Sequence, residues 1–250
     1  MPLKTFIRWY GNKTKHINKI KDYLPTEYNT YIEPFLGSGA MFLYLQPEKW
    51  IINDYNKDLV DSWKLVKIDP DLLISFLESI GKVFVPMNND NKKKFCQELA
   101  NELNDMKDGT LKTCLFIFLK YCAFMGKIVL NDKYYFTGLN NNIKKINYYY
   151  NEKNYNNIKN ISNYLKESKG KIYNTDYKEI LKKAKSGDFV FLDPPYIENY
   201  NYGFKYNTDE KLNNNFQREL LNELKKMDKK GAKWLMTQSD TKENRELFRI

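Results

Sequence analysis

A chain of 250 residues with 42% hydrophobic residues is long enough to bury one core, or one core together with a smaller inserted lobe. Its longest apolar run, TCLFIFLKYCAFMG at 113–126, contains Lys120 and is shorter than the about 18 residues that span a bilayer. The start, MPLKTF, lacks the apolar stretch of a signal peptide. We therefore expect an intracellular, cytoplasmic protein with no membrane partner.

The histidine and cysteine content limits the classes of reaction that the chain can catalyse. The sequence has one histidine, His16, and three cysteines. A histidine-rich metal site needs two or more histidines, and a Ser-His-Asp triad needs a histidine placed by a partner acid. Cys96, Cys114 and Cys122 follow none of the paired spacings of zinc sites or disulfide scaffolds, so we expect reduced core residues. These observations argue against metallohydrolases and serine hydrolases, and we expect no metal.

Basic residues exceed acidic residues by 41 to 31, which gives a formal charge of +10 and suits a polyanionic partner. The abundance of Lys, Asn and Tyr, as in NYYYNEKNYNN at 147–157, fits a compositional bias of the coding sequence equally well. Only four residues are arginine, so the charge is almost entirely lysine. Lysine attracts phosphate but lacks the planar fork with which arginine reads guanine.

The first predicted elements are a strand, a glycine turn, a helix and a second strand. TYIEPF (30–35) is a strand candidate, MFLYL (41–45) begins a helix, and WIINDYN (50–56) is a strand candidate ending in Asn53 and Asp54. This order is typical of half of a nucleotide-binding α/β fold.

The turn Gly37-Ser38-Gly39 between the first strand and helix has two interpretations. It is not a P-loop, which would need Gly-Lys-Ser/Thr, and Phe42 stands where a dinucleotide fingerprint has its third glycine. A purely structural turn explains the two glycines as well as a close approach to a ligand does. Asp54 favours the ligand, because a carboxylate at the end of the next strand binds ribose hydroxyls in such folds.

Residues 57–170 interrupt the strand pattern and are predicted to form an inserted lobe. Helical periodicity appears in three stretches: 59–80, 91–107 and 111–125. KIVLNDKYYF (127–136) predicts a hairpin with its turn at Asn131-Asp132-Lys133. The stretch 140–163 is nearly all Asn, Lys, Tyr and Ile, a composition typical of a soluble, mobile segment.

The sheet pattern resumes with strand candidates at 171–177, 187–196 and 232–239. Helices are predicted at 178–185 and 209–228, the second with Asp209 as its cap and an apolar face. That face comprises Leu212, Phe216, Leu220, Leu224 and Met227. The alternation predicts a parallel α/β sheet whose interesting acids lie at the carboxyl ends of strands, where open sheets bind ligands.

The stretch FVFLDPPYI (189–197) is a buried-strand pattern that ends in an acid, two prolines and an aromatic residue. The prolines stop the strand, because neither donates a backbone hydrogen bond. A rigid turn would fix the Asp193 carboxylate and the Pro194 carbonyl as neighbouring acceptors, which matches the two N–H donors of an exocyclic amino group. Tyr196 supplies a flat face, on which stacking of a base is worth about 1–3 kcal/mol. The pattern therefore predicts a site for an aminated base.

Five motifs in one order resemble the Dam-like (alpha-group) adenine-N6 DNA methyltransferases. They are Arg8-Trp9-Tyr10-Gly11-Asn12-Lys13, Tyr31-Ile32-Glu33-Pro34-Phe35-Leu36-Gly37-Ser38-Gly39, Asn53-Asp54, Thr175-Asp176-Tyr177 and Asp193-Pro194-Pro195-Tyr196. The resemblance spans residues 8–240 and implies a Rossmann-like sheet that binds S-adenosylmethionine (SAM). It further implies a catalytic domain at 1–56 and 171–250, with the lobe at 57–170, mainly helical, recognising the DNA target.

The reaction implied by the resemblance is transfer of a methyl group from SAM to N6 of an adenine flipped out of duplex DNA. Asp193, Pro194, Pro195 and Tyr196 would hold that adenine. The implied cofactor site comprises Trp9, Tyr10, Lys13, Glu33, Pro34, Phe35, Gly37, Gly39, Asp54, Asp176, Tyr177 and Asp193. Tyr10, Lys13 and the stretch 33–39 would line the methionine end, Asp54 the ribose, and Asp176 and Tyr177 the cofactor adenine.

The target sequence and the oligomeric state stay open. Relatives that read GATC carry an arginine where Val129 stands, and no arginine occurs in 57–170, so we expect an A/T-rich or relaxed target. Any guanine contact would have to come from lysine, asparagine or the backbone, with these DNA-binding candidates: Lys127, Asn131, Lys133 and Tyr135. A homodimer or an accessory subunit is compatible with the sequence.

Alternatives from three other classes remain. A glutamine-N5 or other protein methyltransferase would share the fold, but the relatives of that kind carry Asn rather than Asp before Pro-Pro-Tyr. An RNA adenine methyltransferase would use the same pocket. The intact Asp54, Asp193 and Tyr196 argue against a non-catalytic DNA-binding relative. The end at Ile250 argues for it, since the family usually continues past 238–239 with further strands, and an open sheet edge then needs a partner. A shortened sequence or a divergent short form would explain that end equally well.

Overall fold

A computed structural model describes residues 3–130, 133–140, 147–196 and 214–249. The chain forms two compact units. The first comprises Met1–Thr14, Gly37–Gln46 and Asp58–Glu167, and the second comprises Lys15–Leu36, Pro47–Lys57 and Ser168–Ile250. The functional division at 57 and 170 stays a prediction.

The second unit contains a parallel sheet, as the sequence predicts. In the described part of the chain it has five strands: β1 (Tyr31–Glu33), β2 (Lys49–Asn53), β5 (Lys169–Tyr173), β6 (Phe189–Leu192) and β7 (Lys233–Met236). Their order is β5-β2-β1-β6-β7, and every neighbouring pair is parallel. Each predicted strand is confirmed, and each ends earlier than predicted. The residue that follows is an acid or a proline after β1, β2 and β6, Asn174 after β5 and Thr237 after β7.

The core of the second unit lies between this sheet and two helices, α8 (Tyr177–Leu181) and α9 (Asn214–Lys230). Strands β1 and β6 are buried along their full length, as expected for central parallel strands covered by helices. The apolar face predicted for α9 is confirmed where it is described, with these residues buried: Phe216, Leu220, Leu224 and Met227. Asp209 and Leu212 lie outside the described residues. Two further short helices of this unit are α1 (Ile17–Ile20) and α10 (Lys242–Leu247).

Helices dominate the first unit. They are α2 (Ala40–Leu45), α3 (Lys57–Ile68), α4 (Pro70–Phe84), α5 (Asn89–Asp105), α6 (Thr110–Cys122) and α7 (Glu152–Glu167). The continuous pattern at 59–80 is divided between α3 and α4, because Asp69 caps α4 by accepting from Leu72 N at 3.0 Å and Pro70 occupies the first turn. Among the described residues, no helix has the length and apolarity required to cross a bilayer.

The helix α7 differs from the expectation for 140–163. Its sequence, EKNYNNIKNISNYLKE, is mostly polar, but the four residues Tyr155, Ile158, Ile161 and Leu165 are buried. Their spacing of three and four residues places them on one face, which the high Asn and Lys content conceals. Residues 141–146 lie outside the described part of the chain.

The predicted hairpin is present at 127–136. Strands β3 (Val129–Leu130) and β4 (Lys133–Tyr134) pair antiparallel, while Asn131 and Asp132 of the predicted turn lie outside the described residues. Asn104 of α5 fixes β4, because its side chain accepts from Tyr134 N at 2.7 Å and donates to Tyr134 O at 3.0 Å. The Tyr134 hydroxyl also donates to Asp58. The hairpin is therefore attached to the helices of its own unit.

Candidate active site at the carboxyl edge of the sheet

The strand order places a topological switch point between β1 and β6. The chain runs from β1 to β2 and β5 on one side, and β6 and β7 lie on the other side of β1. Open α/β sheets bind ligands in the crevice at the carboxyl ends of strands next to such a point. Glu33 ends β1 and Asp193 directly follows β6. The two acids therefore lie at the edge of the sheet where a ligand is expected.

Asp193 is partly buried and its carboxylate contacts two hydroxyl groups. Its Oδ1 accepts from Thr237 Oγ1 at 2.6 Å and from the Tyr196 hydroxyl at 3.3 Å. Pro194 is buried, whereas Pro195 and Tyr196 are partly buried. The segment that follows β6 therefore carries the carboxylate, the two prolines and the aromatic ring, with the Tyr196 hydroxyl in contact with the carboxylate.

Asn53 joins the ends of three strands. Its amide nitrogen donates to Pro34 O at 2.9 Å and to Thr175 O at 3.0 Å, and its Oδ1 accepts from Thr175 N at 3.0 Å. Its backbone carbonyl accepts from Leu36 N at 2.9 Å. The side chain is buried, so these bonds satisfy groups that water does not reach. Asn53 therefore fixes the segments that follow β1, β2 and β5.

Three acids that the sequence assigns to the cofactor have local partners in the second unit. Glu33 is buried and accepts from the Tyr31 hydroxyl at 2.7 Å. Asp54 Oδ1 accepts from Asn56 N at 2.9 Å, and Asp176 Oδ1 caps α8 by accepting from Lys178 N at 2.7 Å. These bonds orient each carboxylate at the end of its strand.

The aromatic candidates of the second unit belong to its core. Tyr177 is buried, with ring centroids 5.1 Å from Phe35 and 5.5 Å from Phe216. Phe35 itself is partly buried. Both rings therefore support the end of β1 and the start of α8.

In the first unit, the glycine turn packs against the N-terminal motif. Gly37 has φ of 50° and Gly39 has φ of 66°, values that favour glycine. A Cβ on Gly37 would lie 2.9 Å from Trp9 Cδ1, so a larger residue would displace the indole ring. The Lys120 ammonium lies 3.9 Å from the centre of the Trp9 ring and donates to Gly126 O at 2.9 Å.

The remaining residues of the N-terminal motif are also bonded within the first unit. The Arg8 guanidinium donates to Tyr121 O at 3.0 Å and to Ala123 O at 3.1 Å. Lys13 donates to Gly11 O at 3.1 Å. The Lys127 ammonium, at the base of the hairpin, lies 4.4 Å from the centre of the Tyr10 ring, and burial lowers the pKa of that ammonium. The motif and the hairpin base are therefore in contact.

The other hairpin candidates within the described residues are more exposed than Lys127. Lys133 and Tyr135 are exposed, and Tyr135 has 48% of its surface accessible. An exposed lysine and an exposed aromatic residue two positions apart in the chain can contact phosphate and base. Asn131 lies outside the described residues.

Sequence reasoning missed the roles of Thr237 and Asn53. Thr237 lies within the candidate strand AKWLMTQS (232–239), and a polar residue directly after the apolar run Trp234-Leu235-Met236 was the available signal. Asn53 stands beside the assigned Asp54, but its partner Thr175 is 122 positions away. Contacts of that separation leave no local pattern. Among the described residues, no group of three His, Cys, Asp or Glu side chains is arranged to hold a metal.

The strand order, together with the carboxylates at the carboxyl ends of β1, β2 and β6, is typical of a Rossmann-like α/β enzyme. Residues 9–249 match the D12 class of N6 adenine-specific DNA methyltransferases, and the chain belongs to that family. This match confirms the resemblance that the five motifs indicated. It also confirms the predicted enzyme class, a DNA methyltransferase that acts on N6 of adenine.

Curated relatives carry matching names. The chain is 33% identical to the type II methyltransferase M.MjaIII of Methanocaldococcus jannaschii, over 96% of this chain and 85% of that protein. It is 28% identical to the type II methyltransferase M1.LlaDCHI of Lactococcus lactis subsp. cremoris, over 99% of this chain and 85% of that protein. It is 25% identical to the DNA adenine methylase of Escherichia coli K12, over 77% of this chain and 65% of that protein.

Proposed function

We propose that this chain transfers a methyl group from SAM to N6 of an adenine extruded from duplex DNA, with Asp193 and Pro194 as the groups that hold the amino nitrogen. The observation that carries the proposal is the segment after β6, where the Asp193 carboxylate, in contact with the Tyr196 hydroxyl, and the two prolines follow a buried strand at the switch point. Membership of the adenine-specific family supports the same substrate.

The residues at the strand ends fit a cofactor that carries hydroxyl and ammonium groups. Glu33 and Asp54 are carboxylates at the ends of the adjacent strands β1 and β2, and carboxylates accept hydrogen bonds from such groups. We propose that Asp54 binds the ribose hydroxyls and that Glu33 and Pro34 border the methionine end, with Asp176 and Tyr177 at the cofactor adenine. Roles for Trp9, Tyr10, Lys13, Gly37 and Gly39 of the first unit stay predictions from the resemblance.

Asp193 and Pro194 address the poor nucleophilicity of adenine N6. The nitrogen lone pair is delocalised into the ring, so it must leave conjugation before it can form a bond. Two acceptors at the carboxylate and the Pro194 carbonyl would bind both N–H groups and draw the nitrogen toward tetrahedral geometry. Bound SAM supplies an already electrophilic methyl group on a sulfonium sulfur. The contribution of the protein is then to position the acceptor nitrogen, a large source of rate enhancement.

Tyr196 supplies the face for the extruded base. Removing a base from the duplex costs a few kcal/mol, and stacking on an aromatic ring returns about 1–3 kcal/mol. DNA contacts by the hairpin would come from Lys127, Lys133 and Tyr135, and Asn131 stays a candidate from the sequence.

The test is transfer of labelled methyl from SAM to unmethylated duplex DNA, with RNA of the same sequence as competitor. Asp193→Asn keeps the shape of the side chain and replaces one acceptor oxygen by a donor, so we expect loss of at least about 100-fold in rate. Asp188→Asn is the matched control, because Asp188 precedes the same strand at its other end. Its carboxylate accepts from Lys185 N at 2.9 Å, a bond that an asparagine oxygen can still make.

Label recovered as N6-methyladenine in DNA, lost in Asp193→Asn and kept in Asp188→Asn, would support the proposal. Equal activity of the two variants would overturn the role of Asp193. Label found in RNA in preference to DNA would overturn the duplex DNA substrate.

A further inference from the structure

Strand β7 brings a hydroxyl group onto the proposed catalytic carboxylate. Leu192 of β6 pairs with Met236 of β7, so the residues that follow, Asp193 and Thr237, are also side by side. Thr237 N donates to Leu192 O at 2.9 Å, and Thr237 Oγ1 lies 2.6 Å from Asp193 Oδ1. Backbone and side chain of Thr237 thus both bind the end of β6.

Two acceptors lie near the Thr237 hydroxyl, and the distances show which of them it binds. Thr237 Oγ1 lies 3.5 Å from Leu192 O but 2.6 Å from Asp193 Oδ1. A hydroxyl bond to an ionised carboxylate is short, about 2.5–2.7 Å, and about twice as strong as a bond between neutral groups. Since a hydroxyl has one proton to donate, Thr237 Oγ1 donates its hydrogen bond to Asp193 Oδ1.

The hydrogen bond from Thr237 restrains the χ2 torsion of Asp193, which is otherwise free to vary over a broad range. The χ2 angle of an aspartate is broad, because it joins sp³ and sp² carbons, whereas β-branching makes χ1 of threonine stiff. A stiff donor that binds one carboxylate oxygen fixes the plane of the carboxylate and therefore the direction of the other oxygen. The Tyr196 hydroxyl contacts the same Oδ1 at the longer distance of 3.3 Å and restrains it less.

We infer that Thr237 is the positioning residue for Asp193, setting the orientation in which the carboxylate meets the amino group of the target adenine. The inference rests on the proposed function. Thr237 acts through Asp193 and contributes no group to the reaction. A misplacement of about 1 Å at a reacting centre can cost about 100-fold in rate, so losing this bond has a measurable effect.

The test compares Thr237→Val, which removes the hydroxyl and keeps the shape, with Thr237→Ser, which keeps the hydroxyl. We expect kcat for methyl transfer to duplex DNA to fall about 10- to 100-fold in Thr237→Val and to stay within about 3-fold in Thr237→Ser. Thr237→Ala provides the same comparison if the valine variant does not fold.

Thr241→Val is the matched control for a structural role. Its hydroxyl caps α10 by accepting from Asn244 N at 3.1 Å, so this variant should lower the unfolding midpoint and leave kcat unchanged below that midpoint. In an Asp193→Asn background, Thr237→Val should cause less than about 2-fold further loss in single-turnover rate, since both changes act on one group.

Several outcomes would overturn the inference. They are a kcat within about 2-fold of wild type in Thr237→Val, equal losses in the valine and serine variants, or multiplicative losses in the double variant. Full activity of Asp193→Asn would instead overturn the proposed function, so the two failures are distinguishable.

Discussion

At the scale of single residues, Tyr196 carries two groups that we expect to differ in importance. Its ring would stack on the extruded adenine, whereas its hydroxyl contacts Asp193 only at 3.3 Å. We predict that Tyr196→Ala lowers kcat/KM for duplex DNA by about 10- to 100-fold, the equivalent of about 1–3 kcal/mol of stacking. Tyr196→Phe keeps the ring and should stay within about 3-fold of wild type. Steady-state kinetics on one duplex would check both, and equal losses would place the effect on the hydroxyl.

The cysteines provide a second prediction at this scale. All three are buried, and burial raises the pKa of the Cys114 thiol to about 12 and raises that of Cys96 above its usual range. At pH 8 the Cys114 thiolate is then present in about one molecule in ten thousand, and only the thiolate reacts with alkylating reagents. We predict negligible labelling of the native protein by iodoacetamide at pH 8 and labelling of three thiols in denaturant.

The same pKa shifts have a consequence for stability at high pH. Because the thiols of Cys96 and Cys114 have native pKa values above the unfolded value of about 8.5, the native state retains protons that the unfolded chain loses. Stability should be unaffected by these groups below about pH 8.5 and fall as the pH rises toward about 12. Urea unfolding at pH 7, 9 and 10 would check the sign, and greater stability at pH 10 would contradict it.

At the scale of elements, the edge strand β5 depends on one glycine. Gly170 pairs with Trp50 of β2, and a Cβ at Gly170 would lie 1.9 Å from Trp50 Cδ2. The indole is fully buried and its Nε1 donates to Ser168 Oγ at 2.7 Å, so it cannot move without losing that bond. We predict that Gly170→Ala lowers the free energy of unfolding by at least about 2 kcal/mol.

The matched control for that prediction is Gly109→Ala. A Cβ at Gly109 would meet nothing within 4 Å, so alanine there should cost no more than about 1 kcal/mol through weaker capping of α6. Urea denaturation followed by tryptophan fluorescence would measure both variants. Equal stabilities would show that the sheet accommodates the methyl group.

The elements also show why some of the fold could be predicted and some could not. Buried parallel strands such as FVFL and the periodic face of α9 have local signals, and both were predicted. Helix α7 was missed, because its buried residues are separated by Asn and Lys that mask the pattern. The bonds from Asn53 to Pro34 and Thr175 were unpredictable, since they join segments that meet only when the sheet forms.

At the scale of the whole molecule, lysine residues supply almost all of the positive charge behind the formal net charge of +10. Arg8 is the only arginine in the sequence segments that form the first unit, and its guanidinium donates to two carbonyl oxygens of that unit. Lysine binds phosphate as a point charge, whereas the bidentate reading of guanine is an arginine property. DNA binding by this chain should therefore depend strongly on salt and weakly on G·C content.

A substitution at Lys133, which is exposed at the start of β4, tests whether this part of the hairpin contacts phosphate or a base. If Lys133 contacts phosphate, Lys133→Gln should weaken binding to all duplexes alike and reduce the slope of log K against log salt concentration by about 0.9. If it contacts a base, the slope should change little and the preference among duplexes should relax. Lys49→Gln is the matched control, because Lys49 is exposed at the amino end of β2, opposite the ligand-binding edge of the sheet, and should leave the slope unchanged. Titrations of fluorescent duplexes at four salt concentrations would separate the outcomes, and equal slopes for wild type and Lys133→Gln would exclude a phosphate contact at this hairpin position.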